Sequence, residues 1–312
     1  MSYRLKPRGS VASEVRRIVD KQLALAIGEL RTIGDRRSDG RIHAARRHVK
    51  KVRAILRLVQ PALGDTYYAV NRRLGRANRM LGPIADGRAV VDTTAQLGGT
   101  TRARPAHRAL HLLQAALVQR AEGIDRRAEH DRVLPIVAGL LRRERRRLND
   151  WTLNARGFDA VGPGLENSVR CARKAMQRAL RHPAAHTYHV WRRRLKDLWF
   201  QVRLLEARCG DALMSDQCRL EALDDCLGEY HNVVLLEEIL ITEALVPRPQ
   251  TAGCLRVLRR YQAELRGGAA SLGHQALAEK PAHFVRRIKR LWHTPRAAAA
   301  VRAKESRWRS AA

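Results

Sequence analysis

The sequence predicts an all-α protein built from two related helical halves, and three observations carry that expectation. Apolar residues recur with the 3.6-residue period of a helix along nearly every long segment, and no segment shows sustained strand alternation. Glycine and proline fall between the periodic segments, where helices stop. One histidine-led pattern occurs twice, 146 residues apart, as a tandem duplication would leave it.

The elements follow in order. A first helix is expected over 10–33, and a second over 40–60, opened by Asp39-Gly40 and stopped at Pro61. Gly64-Asp65 opens a helix over 65–81, which Gly82-Pro83 separates from the next, over 83–97, closed by Gly98-Gly99. Helices over 105–123 and 129–149 come next, the latter ending in the run Arg142-Arg143-Glu144-Arg145-Arg146-Arg147, where cations suit the C-terminal end of the helix dipole. The stretch from Gly157 to Gly164, with Gly162-Pro163-Gly164 at its end, is the expected joint between halves. Beyond it lie helices over 166–181 and 184–207, then Gly210, with Asp65 and Asp211 both fitting N-caps after a glycine. Helices over 212–229, 232–246, 251–270 and 281–293 complete the set, broken at Pro247-Arg248-Pro249 and Gly267-Gly268. The division expected is a first half over 1–156, a second over 157–295 and a basic tail over 296–312.

Two of these helices carry chemistry. His43 leads Arg46, Lys50, Arg53 and Arg57, and His189 leads Arg192, Lys196 and Arg203. At roughly 100° per residue these offsets share an arc of about 80°. The apolar residues run beside the stripe: Ala45, Val49, Val52, Leu56 and Val59 in the first helix, and Trp191, Leu195, Leu198, Val202 and Leu205 in the second. Such a stripe emerges at the edge of a core and faces a groove. An offset of 146 also carries Gly64-Asp65 onto Gly210-Asp211, Leu74 onto Leu220, Leu81-Gly82 onto Leu227-Gly228 and Ala85-Asp86 onto His231-Asn232. If the related helices meet about a pseudo-two-fold axis, the stripes line a common cationic channel, with Arg47, Lys51 and Arg193 at its shoulders. Arg72, Arg73, Arg76 and Arg79, on one face of the next helix, are expected to widen that surface.

Charge narrows the partners. Sixty-one Lys and Arg against 30 Asp and Glu give a net charge of +31, spread along the chain, so the folded body repels itself unless a polyanion is near. Nucleic acid, an anionic membrane surface and inorganic phosphate polymers are the candidates. Hydrophobic content of 45% is too high for wholesale disorder. The five cysteines form no C-x-x-C pair and are odd in number, which argues against a disulfide framework. No stretch approaches a membrane span and no apolar run follows the basic N-terminus, so a soluble cytoplasmic protein is expected.

The run Ile42-His43-Ala44-Ala45-Arg46-Arg47-His48-Val49-Lys50-Lys51-Val52-Arg53, repeated more loosely from Tyr188-His189 to Lys196-Asp197-Leu198, resembles the CHAD family, the conserved histidine α-helical domain, over about residues 10–295. That resemblance implies two pseudo-symmetric helical bundles that bind inorganic polyphosphate through a basic central channel, and an association with polyphosphate granules. It implies site roles for His43, Arg46, Lys50, Lys51 and Arg53, and for His189, Arg192 and Lys196. Trp199 stands where the first stripe has Arg53, and the downstream motif is Ala85-Asp86 and His231-Asn232, so His231 carries over but position 85 does not.

Polyphosphate suits such a surface because it is a dense string of charge without bases to read; arginine forks and lysine point charges on a rigid scaffold grip it. Several other readings compete. A charge run on one helix is ordinarily a solvated face, but recurrence in register beside the seam argues otherwise. His43 and His189 can equally contact phosphate or support an arginine. His107 with His111, and His182, His186 and His189, have metal-ligand spacing, yet no carboxylate or cysteine nearby completes a ligand set, so neither metal nor cofactor is expected. Non-specific binding to a nucleic-acid backbone is the main rival, and an aromatic content of 4% gives base stacking little support. CHAD domains often occur fused to a triphosphate-tunnel domain, whose Glu-x-Glu-x-Lys strand does not occur here, so a binding protein rather than an enzyme is expected.

Overall fold

The computed structural model describes residues 3–7, 9–31, 39–100, 104–243 and 245–294. Among them every regular element is helical: α1 (Val11–Arg31), α2 (Asp39–Leu58), α3 (Gln60–Leu63), α4 (Thr66–Met80), α5 (Gly82–Thr100), α6 (Arg104–His130), α7 (Val133–Arg146), α8 (Gly162–Arg181), α9 (Ala185–Cys209), α10 (Met214–Thr242), α11 (Arg248–Ala276) and α12 (Pro281–His293). Short 3-10 turns cover Arg147–Asp150, Gly157–Ala160 and Gly210–Leu213. Residues 32–33 of the first expected helix, the side chain of Asp39 and the basic tail over 296–312 lie outside the described residues.

The two seams form the centre of the fold. Ala45, Val49, Val52, Leu56 and Val59 are fully buried, and so are Trp191, Leu195, Leu198, Val202 and Leu205 to within 2%. Burying a side chain of that kind contributes roughly 1.5–3 kcal/mol, so the stripe beside each seam is held at a fixed depth. Around α2 stand α1, α4, α5, α8 and α9; around α9 stand α2, α8, α10 and α12. The contacts of α5 with α6 have a counterpart in α10 with α11, and α2 meets α9, α5 meets α10, and α6 meets α11. A buried hydrogen bond from Gln201 Nε2 to the Ala54 carbonyl (3.0 Å) ties α9 to α2.

Several expected boundaries differ. The two helices placed over 212–229 and 232–246 are one continuous α10. The chain breaks at Pro83, which has no N–H to continue the ladder, whereas the position 146 later is Glu229, which propagates it. Gly98-Gly99 and Gly267-Gly268 lie inside α5 and α11, since a glycine keeps its N–H and costs a helix only about 1 kcal/mol. Gly162-Pro163-Gly164 is the first turn of α8, with proline where its missing donor costs nothing. There a Cβ on Gly164 would lie 1.9 Å from the Leu58 carbonyl oxygen, so glycine is what lets α8 approach the end of α2. Asp65 stands at the N-cap of α4 but makes no side-chain capping bond, and Asp211 lies within a 3-10 turn. Gly64 (φ 60°) and Gly210 (φ 70°), 146 apart, both take the left-handed backbone that turns the chain after α3 and α9.

Candidate anion-binding cleft

Where α2 faces α9 there is a cleft of about 170 Å³. Lys50, Arg53 and Arg57 enter it from α2, and Arg192, Arg193, Arg194 and Lys196 from α9; only Asn78 of α4 and Asp197 of α9 interrupt this cationic lining. Both stripes therefore meet there. Like charges so close are mutually repulsive, and low-dielectric helical walls keep their field from dissipating into water.

Local partners fix some of these cations and not others. Arg46 donates from Nη1 to Asp86 Oδ1 (2.8 Å) and to the Gly82 carbonyl (3.2 Å), while its Nε is buried without a hydrogen-bond partner. Arg57 donates to Asp197 Oδ1 (3.0 Å), and Arg53 Nε to Asn71 Oδ1 (3.0 Å). Lys196 is bonded to the buried carboxylate of Asp224 on α10 and lies 4.5 Å from the Trp199 ring centroid. Neither Lys50 nor Arg192 has a carboxylate within ion-pair distance among the described residues, and Arg192 Nε is buried with no partner.

Titration follows from these surroundings. Burial, reinforced by Arg46, Arg192 and Lys196 and opposed by Asp86, lowers the Lys50 ammonium to about 7. Burial, then Arg57, lowers the Arg53 guanidinium to about 10, and burial also lowers Arg192 and Arg193. Desolvation pushes the Asp197 carboxyl up against the pull of Arg57, Arg53, Arg194 and Arg193. Within reach of the Arg192 and Lys50 charges the His189 and His231 rings stand 4.7 Å apart, and burial with neighbouring cations lowers His43, His189 and His231, the last to about 4. These imidazoles are neutral near pH 7, each with a single N–H to donate.

The expected site residues thus separate. His43, Arg46, Lys50, Arg53, Arg57, His189, Arg192, Arg193, Lys196 and His231 gather in or beside the cleft. Arg47 is exposed. Lys51 and Arg203 lie to one side, Lys51 5.0 Å from the Tyr3 ring centroid and Arg203 4.9 Å from that of Trp199. On α4, Arg72 and Arg76 are exposed; Arg79 is also exposed but shares the space beside Gly75 with the Arg53 guanidinium. Arg73 departs from the expected surface: it turns to α7, where Nη2 donates to the buried Glu144 (3.0 Å). Sequence reasoning missed Arg194, Asp197, Asn78 and Asp224. The first two stand within the second motif, but a one-helix reading cannot say that Asp197 faces Arg57 of another helix. Among the described residues no three His, Cys, Asp or Glu side chains gather as a metal site needs, and no helix is long and apolar enough to cross a membrane.

Comparison with known proteins agrees with this architecture. A family model described as the CHAD domain matches residues 17–241. No curated protein matches. Among solved structures, the chain is similar to PptA from Streptomyces chartreusis, at 17% identity and a TM-score of 0.59 over 87% of this chain and 100% of that one. It is also similar to the CHAD domain from the plant Ricinus communis, at 15% identity and a TM-score of 0.53 over 94% of this chain and 95% of that one. At such identities the likeness is one of fold, while the family match spans most of the chain: this protein belongs to the CHAD domain family.

Proposed function

We propose that this protein binds inorganic polyphosphate, without chemical turnover, in the cleft between α2 and α9. The observation that carries the reading is the lining itself, in which cations from both histidine-led helices converge on one space. The in-register seams, the paired left-handed glycines and the meeting of α2 with α9, α5 with α10 and α6 with α11 support two duplicated halves about a pseudo-two-fold axis, with the cleft as their shared channel. On this reading the halves join near Gly157, and the protein associates with polyphosphate granules in the cytoplasm.

Competition at physiological salt tests it. Labelled long-chain polyphosphate is bound and challenged with duplex DNA, RNA and triphosphate, in parallel with an Arg46→Ala/Arg192→Ala variant. Polyphosphate should win by at least about tenfold, a difference of about 1.4 kcal/mol, and the variant should lose that preference. Equal competition by nucleic acid, with the variant binding unchanged, would mean that the charge acts diffusely and that the nucleic-acid reading is correct.

A further inference from the structure

The two sides of the cleft are related by position but differ in charge. Lys50 on α2 corresponds to Lys196 on α9, and Asn78 corresponds to Asp224, each pair 146 apart. Lys196 has its carboxylate: Asp224 is bonded to it and buried. Lys50 shares the cleft with Asn78, whose side chain is neutral and whose Oδ1 is buried without a hydrogen-bond partner. Across from Lys50 stands Arg192, with an orphaned Nε and no ion pair among the described residues. Asp86 reaches Lys50, and Asp224 and Asp86 reach Arg192, only at longer range than an ion pair, so two sheltered cations facing one another from different helices leave an incompletely met demand for an anion. On the other side the same demand is met from within the fold.

We propose that Asn78 is the residue that decides where phosphate seats: by supplying no carboxylate where the other half has Asp224, it leaves Lys50 and Arg192 to grip one phosphoryl group, while Lys196 stays internally neutralised. This rests on the polyphosphate reading and adds to it that the duplicated site is functionally one-sided. The groups facing Lys50 are Arg46 on its own helix, Arg192 and Lys196 from α9 and Asp86 from α5, so a carboxylate at position 78 would add to the one opposing charge now there.

The experiment moves that carboxylate. Asn78→Asp, Asp224→Asn and the Asn78→Asp/Asp224→Asn exchange are compared with wild type for long-chain polyphosphate affinity at fixed salt, and for thermal midpoint in phosphate-free buffer. Asn78→Asp should weaken binding about tenfold or more while raising the ligand-free midpoint, because Lys50 gains a counterion. Asp224→Asn should tighten binding and lower the midpoint. The exchange has wild-type net charge and should recover at least half of the lost affinity on a logarithmic scale. Wild-type affinity in Asn78→Asp, or weakening by Asp224→Asn, overturns the proposal, as does an exchange variant no better than Asn78→Asp. Should Asn78→Asp not fold, Asp224→Asn decides alone. If wild type binds no polyphosphate, the functional reading has failed. The seat is then judged by thermal stabilisation with sulfate, expected in wild type and Asp224→Asn and absent in Asn78→Asp; no response in wild type removes the seat as well.

Discussion

Replacing Lys50 with methionine should stabilise the ligand-free protein and weaken its affinity for polyphosphate. The lysine falls from 10.5 to about 7 on folding because burial strips water from its ammonium and Arg46, Arg192 and Lys196 repel it, with the Asp86 carboxylate acting against them. At 1.36 kcal/mol per unit, that shift is a cost of about 5 kcal/mol for holding the charged form. The sign follows from linkage. Between pH 7 and 10.5 the unfolded chain binds this proton and the folded chain does not, so this group's contribution to stability rises with pH across the window. Below pH 7 its cost is fully present. Methionine removes that cost, with an expected gain of roughly 1–4 kcal/mol at pH 6.5 that shrinks toward zero by pH 10. Denaturant unfolding at both pH values measures it. An anion held by Lys50 restores its proton, so binding should take up about 0.9 proton at this site at pH 8 and about 0.1 at pH 6. Calorimetry in buffers of different ionisation enthalpy reads that uptake, and the difference between wild type and Lys50→Gln isolates it from Lys51, itself lowered to about 8 by burial and by Arg203 and Arg47. A gain that is the same at pH 6.5 and pH 10, or identical uptake in the two proteins, would refute the reasoning.

Two further outcomes test the scaffold. Gly164→Ala should cost about 3 kcal/mol or more, since the new methyl meets backbone of α2 and not a movable side chain; an unchanged unfolding midpoint would mean that α8 and α2 do not approach this closely. Acid should destabilise the protein between pH 6.5 and 4, because His48 and His231 are both lowered to about 4 and the unfolded chain takes up their protons first. His48, under burial and the charges of Lys51 and Arg47, accepts its place through a 2.7 Å bond to Gln22 of α1, and His48→Gln should flatten that part of the stability–pH profile.

The helices and the two stripes were legible in the chain because they depend on short-range period. Leu195 and Leu198 had to share a face with Trp191 whatever the partner helix was, and all three are buried. Pro83 against Glu229 shows a limit of that reading: separate helices were expected over 212–229 and 232–246, but Glu229 has the N–H that Pro83 lacks, and the helix runs on. The arginines of α4 show another limit. Arg73 has the same local spacing as its neighbours, and only the position of Glu144 on α7 turns it away from the cleft.

By itself, then, the sequence determined an all-helical chain with two cationic ridges set beside buried seams, because a helix repeats its geometry from residue to residue. Only the tertiary structure decided which cations remain available to a ligand. Lys50, Asn78 and Arg192 come from three helices, as do Lys196 and Asp224 from two, and their pairing depends on through-space distances that no single helix encodes. A charge's worth is set by what lies within a few ångströms of it, and those neighbours are chosen by packing.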